Sequence, residues 1–300
     1  MRSFMSVFAF YAIKASGYKR RAAIPEKREK YYRKLERINR SPVKAPKLIF
    51  PAPEEKLIGG VQVFFFNKGK SRKVVYLHGG GYCEQPVLPH WQLCAQIAKK
   101  TASTVIMPVY KKAPNNSFEG TFDFLEDFWR ELTAESGSRN VFIMGDSSGG
   151  GLALAFCEQL KLLGLPQPKR MILISPWVDV TMTTKIPEEL DRKDPSLQNE
   201  HLRRMAEMWA GGADLRDPRL SPINGDLSGL APMTVFYGTH ETIILDGRRL
   251  KAECEKQGAE LDFREAEGMN HCFVLYPTPE GARARKEIIE LIKGKKEDKQ

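Results

Sequence analysis

Residues 141–160, VFIMGDSSGGGLALAFCEQL, end an apolar run on Gly-Asp-Ser-Ser-Gly-Gly-Gly and then begin a helical pattern. Gly145-Asp146-Ser147-Ser148-Gly149 fits G-x-S-x-G between a predicted strand and a predicted helix, the setting of a nucleophile elbow. Only the middle residue of such a turn is lifted above the sheet, so Ser147 is the expected nucleophile. Ser148 opens the helix, where its main-chain N–H can stabilise an oxyanion, and it is wanted mainly for that main chain. Asp146 is expected to hold the turn and not to transfer a proton. A Walker-type phosphate loop is excluded, because no Gly-Lys-Ser/Thr follows. A second glycine motif, His78-Gly79-Gly80-Gly81-Tyr82, directly follows another apolar run. Its successive glycines present N–H groups with no side chain in the way, so Gly80 and Gly81 are expected to share an oxyanion site with Ser148.

A serine of this kind needs a base, and the base needs an orienting carboxylate. Of the five histidines, His78 belongs to the glycine motif, His90 opens a helical stretch and His201 lies in a polar insertion. His240 stands beside Glu241, but position 244 is not His, so the H-E-x-x-H pattern of a zinc site is absent. His271, in EGMNHCF after the last expected strand, is therefore the expected base. VFYGTHETIILDG offers two acids: Glu241 follows its strand almost at once, whereas Asp246 is already helical. Glu241 is the expected acid, with Asp246 second. Asp179 and Asp217 read as structural turn and strand-end residues.

These side chains need a scaffold that brings the ends of several strands together. Short β-branched runs alternate with helical patterns: strands over 73–78, 103–110, 140–145, 170–176, 233–238 and 260–266, with helices over 88–100, 118–135, 149–163, 243–257 and 280–293. LIGGVQVFFFNKGKSR precedes them as a hairpin. The alternation specifies an α/β protein with a mostly parallel central sheet and helices on both faces. A helical insertion at about 180–215 interrupts it, as lids over strand carboxyl ends often do.

Charge divides the chain. Residues 1–47 hold 14 Lys/Arg against 3 Asp/Glu, and the remainder holds 33 against 34. The basic arm reads as two helices with a solvated charged face, and no nucleic-acid fold signature accompanies it. Within it Phe4, Val7, Phe8 and Tyr11 recur at i, i+3, i+4, i+7, a stripe expected to pack on the protein itself. The opening MRSFMSVFAFYAIKASG is a poor secretion signal, since Lys14 breaks a short, aromatic-rich run. Five cysteines without C-x-x-C spacing fit reduced thiols, so a cytoplasmic location is expected.

The motifs HGGGY (78–82), GDSSGG (145–150), ISPWVD (174–179), RLSPINGDLSGLAPM (219–233), YGTHE (237–241) and GMNH (268–271) resemble those of the hormone-sensitive-lipase-like group of α/β-hydrolase esterases. The order Ser147, Glu241, His271 is also that of the α/β-hydrolase fold. The resemblance covers about residues 50–293. It implies hydrolysis of short- to medium-chain carboxylic esters by a Ser-His-Glu triad, without metal or cofactor. It further implies a cap made from residues 1–45 and the insertion, with residues 1–20 covering the acyl pocket, set on a hydrolase domain over 46–300. Tyr82 and Trp209 are then candidates to line the substrate pocket. Expected partners are a small ester substrate and no nucleic acid; membrane contact by the arm is not expected, and a homo-oligomer is left open. The alternative function is a non-catalytic small-ligand-binding protein on the same fold, which would be expected to have lost a triad residue.

Overall fold

The computed structural model describes residues 2–294. Eight strands form one sheet: β1 (Glu54–Ile58), β2 (Val61–Phe66), β3 (Lys73–Leu77), β4 (Thr104–Pro108), β5 (Val141–Asp146), β6 (Arg170–Ile174), β7 (Met233–Gly238) and β8 (Leu261–Ala266). Their spatial order is β1-β2-β4-β3-β5-β6-β7-β8. β2 runs antiparallel to β1 and β4, and every other pairing is parallel. β3 to β7 are buried along their whole length, save the half-buried Arg170 that opens β6, as expected for apolar runs covered on both faces. The edge strand β1 carries Glu54, Glu55 and Lys56 and is almost wholly exposed, which discourages pairing with another chain.

Among the described residues ten α-helices accompany the sheet: α1 (Phe4–Ser16), α2 (Tyr18–Ala22), α3 (Pro25–Asn39), α4 (Leu88–Thr101), α5 (Glu119–Ser136), α6 (Ser148–Leu162), α7 (Glu188–Lys193), α8 (Asn199–Ala210), α9 (Ile244–Gln257) and α10 (Pro279–Lys293). One core joins Leu125, Trp129, Phe156 and Leu160 of α5 and α6 to one face of the sheet and continues to Leu202, Met205 and Trp209 of α8. On the other face Trp91, Ile97, Ile288 and Ile292 of α4 and α10 pack against Phe64, Tyr76 and Phe142. All five cysteines are buried free thiols.

The sheet order sets where a site can form. From β3 the chain crosses to β4 on one side and then returns to β5 on the other, so connections diverge between the adjacent strands β3 and β5. A crevice opens outside the carboxyl ends of strands at such a switch point. Leu77 pairs with Gly145 there, and the two glycine motifs leave from the two sides.

The arm departs from the expected pattern in two ways. It forms three helices and not two, because Gly17 turns the chain at φ 67° and Pro25 starts a new helix. The stripe Phe4, Val7, Phe8, Tyr11 does not pack on a pocket: Phe4, Phe8 and Tyr11 are 84%, 67% and 61% exposed. α1 instead buries Ser6, whose hydroxyl donates to Glu280 Oε2 at 2.6 Å. A polar anchor on α10 overrides the apolar periodicity.

Candidate active site

The elbow is built by close approach. At Gly145 a Cβ would lie 2.3 Å from the Gly149 carbonyl oxygen, and at Gly149 one would lie 2.1 Å from that of Leu77. No side chain fits at either place, so α6 can start directly against the ends of β3 and β5. Ser147 between them has φ 51° and ψ −123°, a strained conformation for a residue with a side chain. The strain is held by Ser147 N–H donating to Ile174 O, while Ser147 O accepts from Gly151 N–H and Trp177 N–H.

The structure brings Ser147, His271 and Glu241 into line. His271 Nδ1 lies 2.6 Å from Glu241 Oε2, and His271 Nε2 lies 3.0 Å from Ser147 Oγ. A carboxylate only accepts, so Nδ1 carries the proton and Nε2 is the acceptor facing the serine hydroxyl. Burial opposes a charged imidazole here, but the Glu241 charge and hydrogen bond outweigh it and raise the His271 pKa above its ordinary value. Glu241 is fully buried; its Oε1 accepts from Gly238 N–H at 2.6 Å and from Ser175 Oγ at 2.7 Å.

Asp246 belongs elsewhere. Its carboxylate accepts from Thr184 Oγ1 and Arg249 Nη1, and Arg249 also bridges to Asp179. Asp217 likewise pairs with Arg219 in a turn. Neither reaches His271. Two other histidines are placed away from the serine: His78 is buried, stacks on Tyr110 and is pushed to lower pKa by burial. His90 Nε2–H donates to Asp146 at 3.2 Å.

Asp146 ties the two glycine motifs together. It accepts from Tyr76 Oη at 2.5 Å and from Gly79 N–H at 2.9 Å, and a Cβ at Gly79 would strike it at 2.4 Å. Burial alone would favour its neutral form, but His90 and these donors hold its pKa down at about 2. A permanent carboxylate thus fixes the first loop against the elbow. The N–H groups of Gly80, Gly81 and Ser148 find no acceptor among the described residues; Gly80 and Gly81 share a cavity wall with Ser147, and Ser148 follows it in the chain. The Ser148 side chain also contributes, since its Oγ accepts from Tyr82 N–H at 3.1 Å. Its hydroxyl is therefore a clasp on the glycine loop, beyond the main-chain use expected of it.

A cavity of about 280 Å³ lies in front of Ser147, walled by Gly80, Gly81, Leu197, Leu202, Met205 and Leu275 among others. Tyr82 and Trp209 do not line it. Both are buried behind the glycine loop, stacked at 4.8 Å and 2° between planes, where they support the loop from below. Their aromatic character made them pocket candidates, but the core claims them. One wall residue carried no sequence signal: Tyr18 of α2 lines the cavity and donates to Glu84 Oε1 at 3.2 Å. Tyr31 of α3, outside the wall, donates to the same oxygen at 2.5 Å. Ser175 was equally silent, although it sits in the ISPW motif. It holds both Glu241 and the Cys272 N–H, the latter at 3.0 Å, and so locks acid and base to one residue. Among the described residues no group of three or more His, Cys, Asp or Glu side chains could hold a metal ion.

A profile for the alpha/beta hydrolase fold matches residues 74–275. An acetyl-hydrolase of Streptomyces hygroscopicus is 32% identical over 216 residues, covering 71% of this chain and 72% of its own. An esterase of Acinetobacter venetianus is 29% identical over 223 residues, 73% of each chain. The solved structure of a proposed esterase from Staphylococcus aureus superposes with a TM-score of 0.86 at 33% identity, over 90% of this chain and 93% of that one. An esterase from the bacterial hormone-sensitive lipase family superposes with a TM-score of 0.82 at 26% identity, over 98% and 99% of the two chains.

Proposed function

This chain belongs to the alpha/beta hydrolase family, beside the bacterial hormone-sensitive-lipase-like esterases, and on that premise we propose that Ser147, His271 and Glu241 carry out its ester hydrolysis. The protein is a carboxylic ester hydrolase acting on a small-molecule ester. One observation carries the assignment of roles: the unbroken line from Ser147 Oγ through His271 to Glu241, at 3.0 and 2.6 Å.

In this reading Ser147 Oγ attacks the ester carbonyl carbon while its proton passes to His271 Nε2. Glu241 stabilises the imidazolium without taking the proton. The carbonyl oxygen becomes an oxyanion facing the N–H groups of Gly80, Gly81 and Ser148, each worth about 10²–10³ in rate. The tetrahedral intermediate expels the alcohol, which leaves with the proton from His271. Water, deprotonated by the same imidazole, then attacks the acyl-enzyme, releases the acid and regenerates Ser147.

The substrate is an acetyl or other short- to medium-chain acyl ester. The cavity of about 280 Å³ supports this, as it is at the small end of ligand sites, and so does the acetyl-hydrolase relative. The arm and the insertion act as its cap, a reading supported by Tyr18, Leu202 and Met205 in the cavity wall. α8 presses so closely that a Cβ at Gly81 would lie 2.6 Å from Met205 Cε.

The test is a series of p-nitrophenyl esters from acetate to palmitate, run with the parent enzyme and Ser147→Ala. The expected result is a maximum at short to medium chains and loss of both turnover and organophosphate labelling in the variant. Turnover surviving in Ser147→Ala would remove the nucleophile assignment, and a maximum at palmitate would remove the substrate class.

A further inference from the structure

The amino-terminal arm presents two unsatisfied surfaces. On α1, Phe4, Met5, Phe8 and Tyr11 are 84%, 50%, 67% and 61% exposed and form one stripe. This orientation is built, since the opposite side of the helix is fastened. Ser3 Oγ and Ser6 Oγ donate to Glu280 Oε2 at 2.8 and 2.6 Å, and Arg2 packs over Gly268. The second surface is a groove of about 640 Å³ between α2 and α3, walled by seven Lys and Arg side chains with Tyr18, Tyr31 and His201, and by no carboxylate. Lys27, Lys30, Lys34 and Arg37 recur there at i, i+3, i+7, i+10, are exposed, and have no described ion pair.

Both surfaces are fastened to loops that carry or adjoin the site. α1 is fastened beside the loop that carries His271, through Gly268. The α2–α3 pair is fastened to the loop after β3, through Tyr18 and Tyr31 on Glu84. Both loops stand at strand carboxyl ends, and Tyr18 is also part of the catalytic cavity wall.

We propose that this arm docks the enzyme onto an anionic phospholipid surface, with the aromatic stripe of α1 in the interface and the α3 cations over the headgroups. Aromatic residues on one face beside a cluster of Lys and Arg are what an interfacial helix presents to anionic lipid. Insertion across the bilayer is excluded for this helix. Its 13 residues reach about 20 Å against a hydrocarbon core of about 30 Å, and no described helix is long and apolar enough to cross a membrane. A second copy of the chain fits poorly, since residues 1–47 hold 14 cations against 3 anions and two such arms repel.

The docking is measured without turnover, so it stands or falls apart from the catalytic assignment. The full-length protein is co-sedimented with vesicles of phosphatidylcholine alone and of phosphatidylcholine with about a third phosphatidylglycerol, at about 0.1 M and about 0.5 M salt. The expected partition coefficient is at least about tenfold higher on the anionic vesicles and falls in high salt. Phe4→Ser/Phe8→Ser/Tyr11→Ser and Lys27→Glu/Lys30→Glu/Lys34→Glu should each reduce that binding about tenfold or more while leaving hydrolysis of water-soluble p-nitrophenyl acetate unchanged. Equal binding to both vesicle types, or triple variants that bind like the parent, would overturn the proposal. So would a concentration-dependent dimer abolished by the aromatic substitutions with no vesicle binding, which would make the stripe a protein interface.

Discussion

At Glu241 the chemistry of the site narrows to one carboxylate held by three donors: Gly238 N–H and Ser175 Oγ on one oxygen, His271 Nδ1–H on the other. Removing its charge while keeping its shape should leave the geometry and destroy the stabilisation of the imidazolium. Glu241→Gln is expected to lower kcat by about 10⁴, whereas Asp246→Asn should stay within a few-fold of the parent, because Asp246 pairs with Arg249 and Thr184. Near-parent kcat in Glu241→Gln would move the role elsewhere. The same contact sets the pH dependence. His271 must be neutral to accept the Ser147 proton, so activity falls as pH drops through its pKa. Since Glu241 raises that pKa, the acid limb of kcat/KM should lie above the ordinary imidazole range. In Glu241→Gln the burial remains without the charge, and the limb should move to lower pH.

The elements meet by backbone contact at the elbow. α6 rests on β3 and β5 at Gly149, where the Leu77 carbonyl oxygen is 2.1 Å from the place a Cβ would occupy. That neighbour is main chain and cannot rotate aside. Gly149→Ala should therefore push α6 off the sheet end, at a stability cost of about 3 kcal/mol. It should also break the Ser147 geometry, so that melting temperature and organophosphate labelling fall together. A variant that melts like the parent and labels at the parent rate would show that the elbow has slack. The flanking glycines are thus needed chiefly for clearance between elements, while the left-handed strain falls on Ser147 itself, at φ 51°.

Across the whole molecule, the arm is joined to the hydrolase core by phenols. Tyr18 and Tyr31 donate to Glu84, and Tyr32 meets His201 Nδ1 at 2.8 Å on α8. Burial raises the Glu84 pKa, and the two phenols partly offset that by serving its carboxylate. Replacing both donors leaves a half-buried carboxyl without its partners. Tyr18→Phe/Tyr31→Phe is expected to destabilise the protein by about 2 kcal/mol or more and lower its melting temperature by about 5 °C. KM for the preferred ester should rise, because the arm forms part of the cavity wall, while a small organophosphate should still label Ser147. Unchanged stability and KM would show that the arm is held by its other contacts, such as Ser6 on Glu280.

The elements and the residues proposed to react were largely legible in the amino-acid order. Continuous apolar runs such as 141–146 must be buried on both faces, glycine clusters mark places where a Cβ cannot fit, and each turn motif reports its own local geometry. His271 stands out by elimination among the five histidines, and the structure sets it between Ser147 and Glu241. What depended on tertiary structure was every contact between distant segments whose partners share no local pattern. Ser175 meets Glu241 across 66 positions, and Ser6 meets Glu280 across 274. Periodicity reports that α1 has an apolar stripe but not which way it faces. Two serine hydroxyls on a buried-side carboxylate turned it outward. Tyr82 and Trp209 show the same limit from inside: aromatic surface suits a pocket and a core equally, and only packing against the glycine loop put them in the core.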